Sequence, residues 1–149
     1  MASTDADTPP LFFTKVLGSL RPANPAAHDA LKAITGTVKV KITKATANQR
    51  RRGMYWLTLA VAAEVLADKT GDPWDAELLH KELKIVLKLG ETFTTPSGRE
   101  VFKPASTADA KMSEPERARW TDRTMAVLST WCGVPVADLL TEARVRDAQ

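Results

Sequence analysis

The stretch from Asn48 to Leu66 constrains the fold of this chain more than any other. Its apolar residues Met54, Leu57, Val61 and Val65 recur at spacings of three and four, which predicts a helix with one buried side. Trp56, Ala60 and Ala63 widen that side into a stripe broad enough to centre a core. The same helix opens on Arg50, Arg51 and Arg52. A helix N-terminus carries partial positive charge and favours Asp or Glu, so cations in its first turn are unfavourable by roughly a few tenths of a kcal/mol each. Such a local conflict points to an anionic partner outside the chain. A solvated start to the helix is the plain alternative.

The 149 residues suit one domain with a hydrophobic core. Residues 1–10 lack a basic n-region and an apolar h-region, so they read as a short disordered lead rather than a signal peptide. Residues 11–149 read as the single domain. With one cysteine, Cys132, no intrachain disulfide can form, and a reducing compartment is the natural setting. His28, His80 and Cys132 do not have the clustered spacing of a zinc site. The longest apolar run, Leu57 to Leu66, is interrupted by Glu64 and is too short to span a bilayer.

Charge is unevenly distributed. Between Lys15 and Arg52 lie Lys15, Arg21, Lys32, Lys39, Lys41, Lys44 and the three arginines, against one acid, Asp29. Beyond Arg52 acids slightly outnumber bases. A basic first third on a near-neutral body suits a polyanion, nucleic acid before membrane. A solubilising surface without a partner is the alternative.

Leu11 to Leu17 reads as a strand. Asn24 and Pro25 open a short helix over Ala26 to Ala33. Thr37 to Lys44 alternates, with Val38, Val40 and Ile42 on one side and Lys39, Lys41 and Thr43 on the other. That period predicts a half-buried strand with a basic outer face. The chain therefore reads as α+β: a small N-terminal strand-helix-strand sheet, then a mainly helical body with one β-hairpin. The central helix should stop at Gly71. Asp72 or Asp75 caps the next helix, which runs to about Leu89 with Leu79, Leu83 and Val86 inward and ends at Gly90. Thr92-Phe93-Thr94 and Val101-Phe102-Lys103 flank Pro96-Ser97-Gly98 as a hairpin. Ser113 and Glu116 form a capping box for a helix carrying Trp120, Thr124, Val127 and Trp131. Gly133 and Pro135 close it, and a last helix spans roughly Val136 to Arg146.

Glu77, His80 and Lys84 share one helix face. An acid–base arrangement is one reading; a histidine that packs and hydrogen-bonds beside Leu79 and Leu83 is the preferred one. No phosphate loop, serine elbow or paired-cysteine motif is present. Asp109 and Glu114 would suit a metal-dependent nuclease, but read better as a loop residue and a helix-cap residue. Tyr55 follows the arginines as an exposed ring on which a base could stack, whereas Trp56 reads as core. Arg117, Arg119 and Arg123 read as a solvated face.

A basic strand is followed by a polar and basic lead into Tyr55-Trp56, then by Glu77-Leu78-Leu79-His80-Lys81-Glu82-Leu83-Lys84. After it come a hairpin, Ala105-Ser106-Thr107, and a helix ending near Gly133-Val134-Pro135. In this order, over about Val38 to Leu140, the chain resembles the phage NinB family, also called Orf, of recombination mediators. The Glu-x-x-His-x-x-x-Lys helix and the Ser106-Thr107 pair are the most specific parts. The family carries Gln-Asn shortly before the Tyr-Trp pair; here those positions hold Arg51 and Arg52, and Asn48-Gln49 lies slightly upstream. The resemblance implies an α+β homodimer in the cytoplasm of a bacterial host. It would bind single-stranded DNA and cooperate with the host single-strand-binding protein, without catalysis, metal or cofactor.

The residues expected at the DNA are Lys39, Lys41, Lys44, Gln49, Arg50, Arg51, Arg52 and Tyr55. The leading expectation is a recombination accessory that assists strand loading or displaces the single-strand-binding protein. A small metal-dependent nuclease and a non-catalytic protein-binding phage module are the competing classes.

Overall fold

In the computed structural model, which describes residues 8–45, 47–107 and 112–148, the dominant stretch becomes the longest helix. In chain order the elements are β1 (Phe13–Val16), β2 (Ser19–Pro22), α1 (Pro25–Ala33), α2 (Ala47–Thr70) and α3 (Ala76–Val86). Then follow β3 (Gly90–Thr94), β4 (Glu100–Pro104), α4 (Glu114–Cys132) and α5 (Val136–Asp147). The fold is α+β, with two separate antiparallel hairpins among the described residues.

Helix α2 is enclosed by α3, α4 and α5. Trp56, Leu59, Ala62, Ala63 and Leu66 are its most buried apolar residues, joined by Val61. They meet Leu79 and Leu83 of α3, Leu128 and Cys132 of α4, and Leu139 and Ala143 of α5. Met54, Leu57 and Val65, expected at the centre of the buried side, are only half-buried. A helix with neighbours on several sides is apolar around much of its circumference. One-sided periodicity therefore misjudges which side lies deepest. Arg146 fastens α5 to α2 by donating to Glu64 at 2.6 Å, and donates within α5 to Glu142 at 3.2 Å.

Several helix boundaries follow local chemistry. The Asp75 carboxylate accepts from Leu78 N at 2.8 Å, which settles the start of α3. Ser113 and Glu116 complete the capping box of α4, and Gly133 closes it in the left-handed conformation at φ 70°. Gly71 ends α2 at φ 80°. Helix α3 is shorter than its sequence suggests: it stops at Val86, which is 44% exposed rather than inward. Gly90 opens β3 instead of merely ending the helix. A Cβ at Gly90 would run into the Lys103 carbonyl, so only glycine fits this pairing. Thr92 pairs with Phe102 and Phe93 with Val101, as expected of the second hairpin.

The N-terminal sheet is not strand-helix-strand. β1 pairs with β2 across a two-residue turn, Leu17 and Gly18, both at positive φ. Thr37 to Lys44 forms neither helix nor strand and joins neither sheet. A hairpin closes a short loop and is satisfied locally, whereas a partner beyond α1 must close a longer one. Leu17 at φ 50° carries a side-chain penalty of roughly 1–2 kcal/mol that a glycine would avoid.

Asn24 ties the preceding segment to α1. Its Oδ1 accepts from Ala27 N at 3.2 Å and Phe12 N at 3.1 Å, while its Nδ2 donates to the Pro10 carbonyl at 2.8 Å. The end of the expected lead is thereby held; residues 1–7 lie outside the described residues. Phe12 then lies against Gly53 of α2, where an added Cβ would stand 2.5 Å from the ring.

Candidate nucleic-acid interface

Helix α2 starts at Ala47, so Arg50 closes its first turn and Arg51 and Arg52 belong to the second. This corrects the expectation that all three crowd the first turn. The helix dipole acts mainly within that turn, so Arg51 and Arg52 are largely outside its reach. Consecutive helical residues diverge by about 100°. Arg50 and Arg51 are exposed and Arg52 is half-buried.

Arg51 meets the Glu114 carboxylate at 3.4 Å, across to the first residue of α4. Exposed pairs of this kind contribute roughly 0–1 kcal/mol, so another anion can compete for the guanidinium. Arg51, Arg52 and Arg117 border a cleft of about 330 Å³ between α2 and α4, with Trp56, Trp120 and Met125 among its lining. Glu114 and Asp122 also lie on its border. Gln49 and Arg52 border a second groove beside Phe12, Thr43 and Glu77. The basic run thus presents its side chains to more than one surface.

Arg117 was expected on a solvated face with Arg119 and Arg123. Arg119 and Arg123 are exposed, but Arg117 is half-buried and donates to the Thr107 carbonyl at 2.8 Å. The available signal was its place three residues before Trp120, one turn along the same helix side. Lys39, Lys41 and Lys44 are exposed along the segment from Thr37 to Lys44, together with Val38, Val40 and Ile42.

Tyr55 does not stand free as a stacking ring. It is half-buried, and its Oη shares a 2.7 Å hydrogen bond with His80 Nδ1. One position from Trp56 on the helix, it is turned toward α3 rather than outward. Trp56 is 2% exposed, as its apolar surroundings led one to expect. His80 is fully buried, with its ring centre 4.7 Å from that of Trp56 and 6.3 Å from that of Trp120. Lys84 is also buried while Glu77 is exposed, so the three do not form one accessible catalytic face. Among the described residues, Trp120 Nε1 is buried and meets no hydrogen-bond acceptor.

Among the described residues, no group of three or more His, Cys, Asp or Glu side chains could hold a metal ion. Asp109, the proposed companion of Glu114, lies outside those residues. No single described helix is long and apolar enough to cross a membrane. Comparison with family models, curated proteins and solved structures returned no match.

Proposed function

We propose that this protein binds single-stranded DNA as a recombination accessory, assisting strand loading or displacing the host single-strand-binding protein. The observation that carries the reading is the placement of Arg51, Arg52 and Arg117 around an aromatic-lined cleft. Guanidiniums suit phosphates, while the Trp56 and Trp120 rings beneath them are buried and belong to the core. Lys39, Lys41 and Lys44 are exposed on the segment whose Thr43 borders the second groove together with Arg52. Helix α2 is enclosed along its middle, so it has no free length to lay in a major groove. The NinB resemblance supplies the recombination context; charge and shape alone support only the DNA class.

Fluorescence anisotropy with labelled single strand, duplex of equal length and magnesium tests the proposal. Tighter binding to the single strand, with the strand left intact, is expected. Equal or tighter binding to blunt duplex would reject the single-strand reading. Cleavage of the strand by pure protein would favour a nuclease.

A further inference from the structure

We propose that the β3–β4 hairpin is a second contact for a single strand, in which Phe93 stacks on an unpaired base while Arg99 and Lys103 meet the adjoining phosphates. Phe93 is 49% exposed, the most exposed aromatic ring of the chain. Tyr55 is half-buried, and Trp56 and Trp120 are buried, so the cleft offers phosphate contacts but no open ring. A base needs such a ring, with cations beside it to follow the phosphates. The inference rests on the single-strand reading above and adds to it a place for the bases.

The strand register puts Phe93 opposite Val101. Residues two apart along a strand share a face, so Lys103 and Arg99 flank Val101 on the face that carries Phe93. Thr95 N donates to the Arg99 carbonyl at 2.8 Å, which extends the pairing one step to Arg99. Diagonal neighbours across an antiparallel pair stand about 7–8 Å apart, within reach of long side chains. Both cations are exposed. Glu91 lies opposite Lys103 on the same face and offsets part of its charge, which leaves Arg99 as the stronger phosphate contact. Glu100, paired with Thr94, belongs to the other face.

Packing does not explain the ring. Thr92 and Thr94 are exposed beside Phe93, so β3 is open on both faces. The cross-strand contact with half-buried Val101 is one that an aliphatic β-branched residue also makes. The root of the hairpin, by contrast, is fixed. Gly90 admits no Cβ against the Lys103 carbonyl, and Ala105 N donates to the Leu89 carbonyl at 2.9 Å. The turn is closed by Arg99 N donating to Thr95 Oγ1 at 3.1 Å. A ring carried on a held hairpin loses little freedom when a base stacks on it. Three residues beyond β4, the Thr107 carbonyl accepts from Arg117 at the border of the cleft. A strand lying on the arginines therefore has the hairpin root beside it.

Fluorescence anisotropy on labelled oligothymidylate and on an abasic strand of equal length provides the test, with wild type, Phe93→Val and Phe93→Tyr compared and melting curves to establish folding. Valine keeps the strand propensity and the contact with Val101 but removes the ring; tyrosine keeps the ring. Phe93→Val should weaken binding to oligothymidylate about 10-fold, while Phe93→Tyr stays within about 2-fold of wild type. On the abasic strand, which has phosphates but no bases, the three should bind alike. Arg99→Ala should flatten the salt dependence on oligothymidylate by about 0.7 in slope, and Phe93→Val should leave it unchanged. A folded Phe93→Val protein that binds oligothymidylate as tightly as wild type would overturn the inference and leave the ring to a protein contact, with the single-strand proposal standing. Equal losses on both strands, or a wild-type slope in Arg99→Ala, would overturn it as well. A wild type that binds neither strand would overturn both proposals.

Discussion

Tyr55 and His80 are joined by a 2.7 Å hydrogen bond between α2 and α3, at the edge of a cluster completed by Trp56 and Trp120. The bond ties the helix that carries the arginines to the helix packed beside it. His80 is fully buried, so the bond lies within the packed framework beneath the surface. His80→Gln should lower stability by about 1–3 kcal/mol, since it disrupts a buried polar contact and the ring packing around it. Tyr55→Phe should act in the same direction. DNA binding by either variant should fall only as far as the folded fraction falls. Thermal melting beside DNA titration checks this; a fully folded His80→Gln protein unable to bind would put the histidine in the binding surface.

Phe12 against Gly53 is the close contact that docks the N-terminal segment on α2. Gly53→Ala should gain about 1 kcal/mol of helix propensity for α2. The added methyl group would also displace the Phe12 ring. The body should melt at the same or a slightly higher temperature, while the chain around Leu11 to Phe13 loses protection. Limited proteolysis and hydrogen exchange read the two effects separately. Unchanged protection there would show that the ring shifts without loosening the segment.

Burial raises the pKa of the Cys132 thiol, and the charge of Lys69 only partly opposes it. The neutral thiol is therefore favoured in the folded chain. In the unfolded chain the thiol ionises as pH passes about 8.5, and stability should decline from there as pH rises toward the higher folded value. Cys132→Ala should make the melting temperature less sensitive to pH in that alkaline range. At neutral pH a thiol reagent should label Cys132 only on unfolding. Rapid labelling of the native protein would contradict its buried placement.

Local chemistry was the most legible part of this chain. Asn24-Pro25, Asp75, Ser113-Glu116, Gly71 and Gly133 act within a few residues, so their neighbours reveal what they do. Alternation in Thr37 to Lys44 was less informative, because it shows that a segment can fit a sheet and not that a strand waits beside it. The Leu17-Gly18 turn took β1 for β2 and left that segment unpaired. Tyr55 follows the same limit: helical period gives its angle around α2, but not the position of α3. The register of the arginines was hidden because Ala47-Asn48-Gln49 carries no strong starting signal. The cleft joining Arg51, Arg52 and Arg117 is tertiary, and no spacing in the sequence brings α2 and α4 together.

The basic start of α2 should bind phosphate, and salt dependence measures that directly. For single strands the slope of log affinity against log salt changes by about 0.7 for each phosphate neutralised. Replacing Arg50, Arg51 and Arg52 together by alanine should flatten the slope by about 1.4 if Arg51 and Arg52 each engage one phosphate, and by about 2 if Arg50 joins them. Affinity should fall similarly across base sequences, because phosphates carry no sequence information. The fold should persist, since the pair of Arg51 with Glu114 is exposed and contributes roughly 0–1 kcal/mol. The decisive measurement is a salt titration of wild type and triple variant on one oligonucleotide, with melting curves to establish folding. A flatter slope in a folded variant is the predicted result; an unchanged slope in a folded variant would contradict phosphate binding by these arginines.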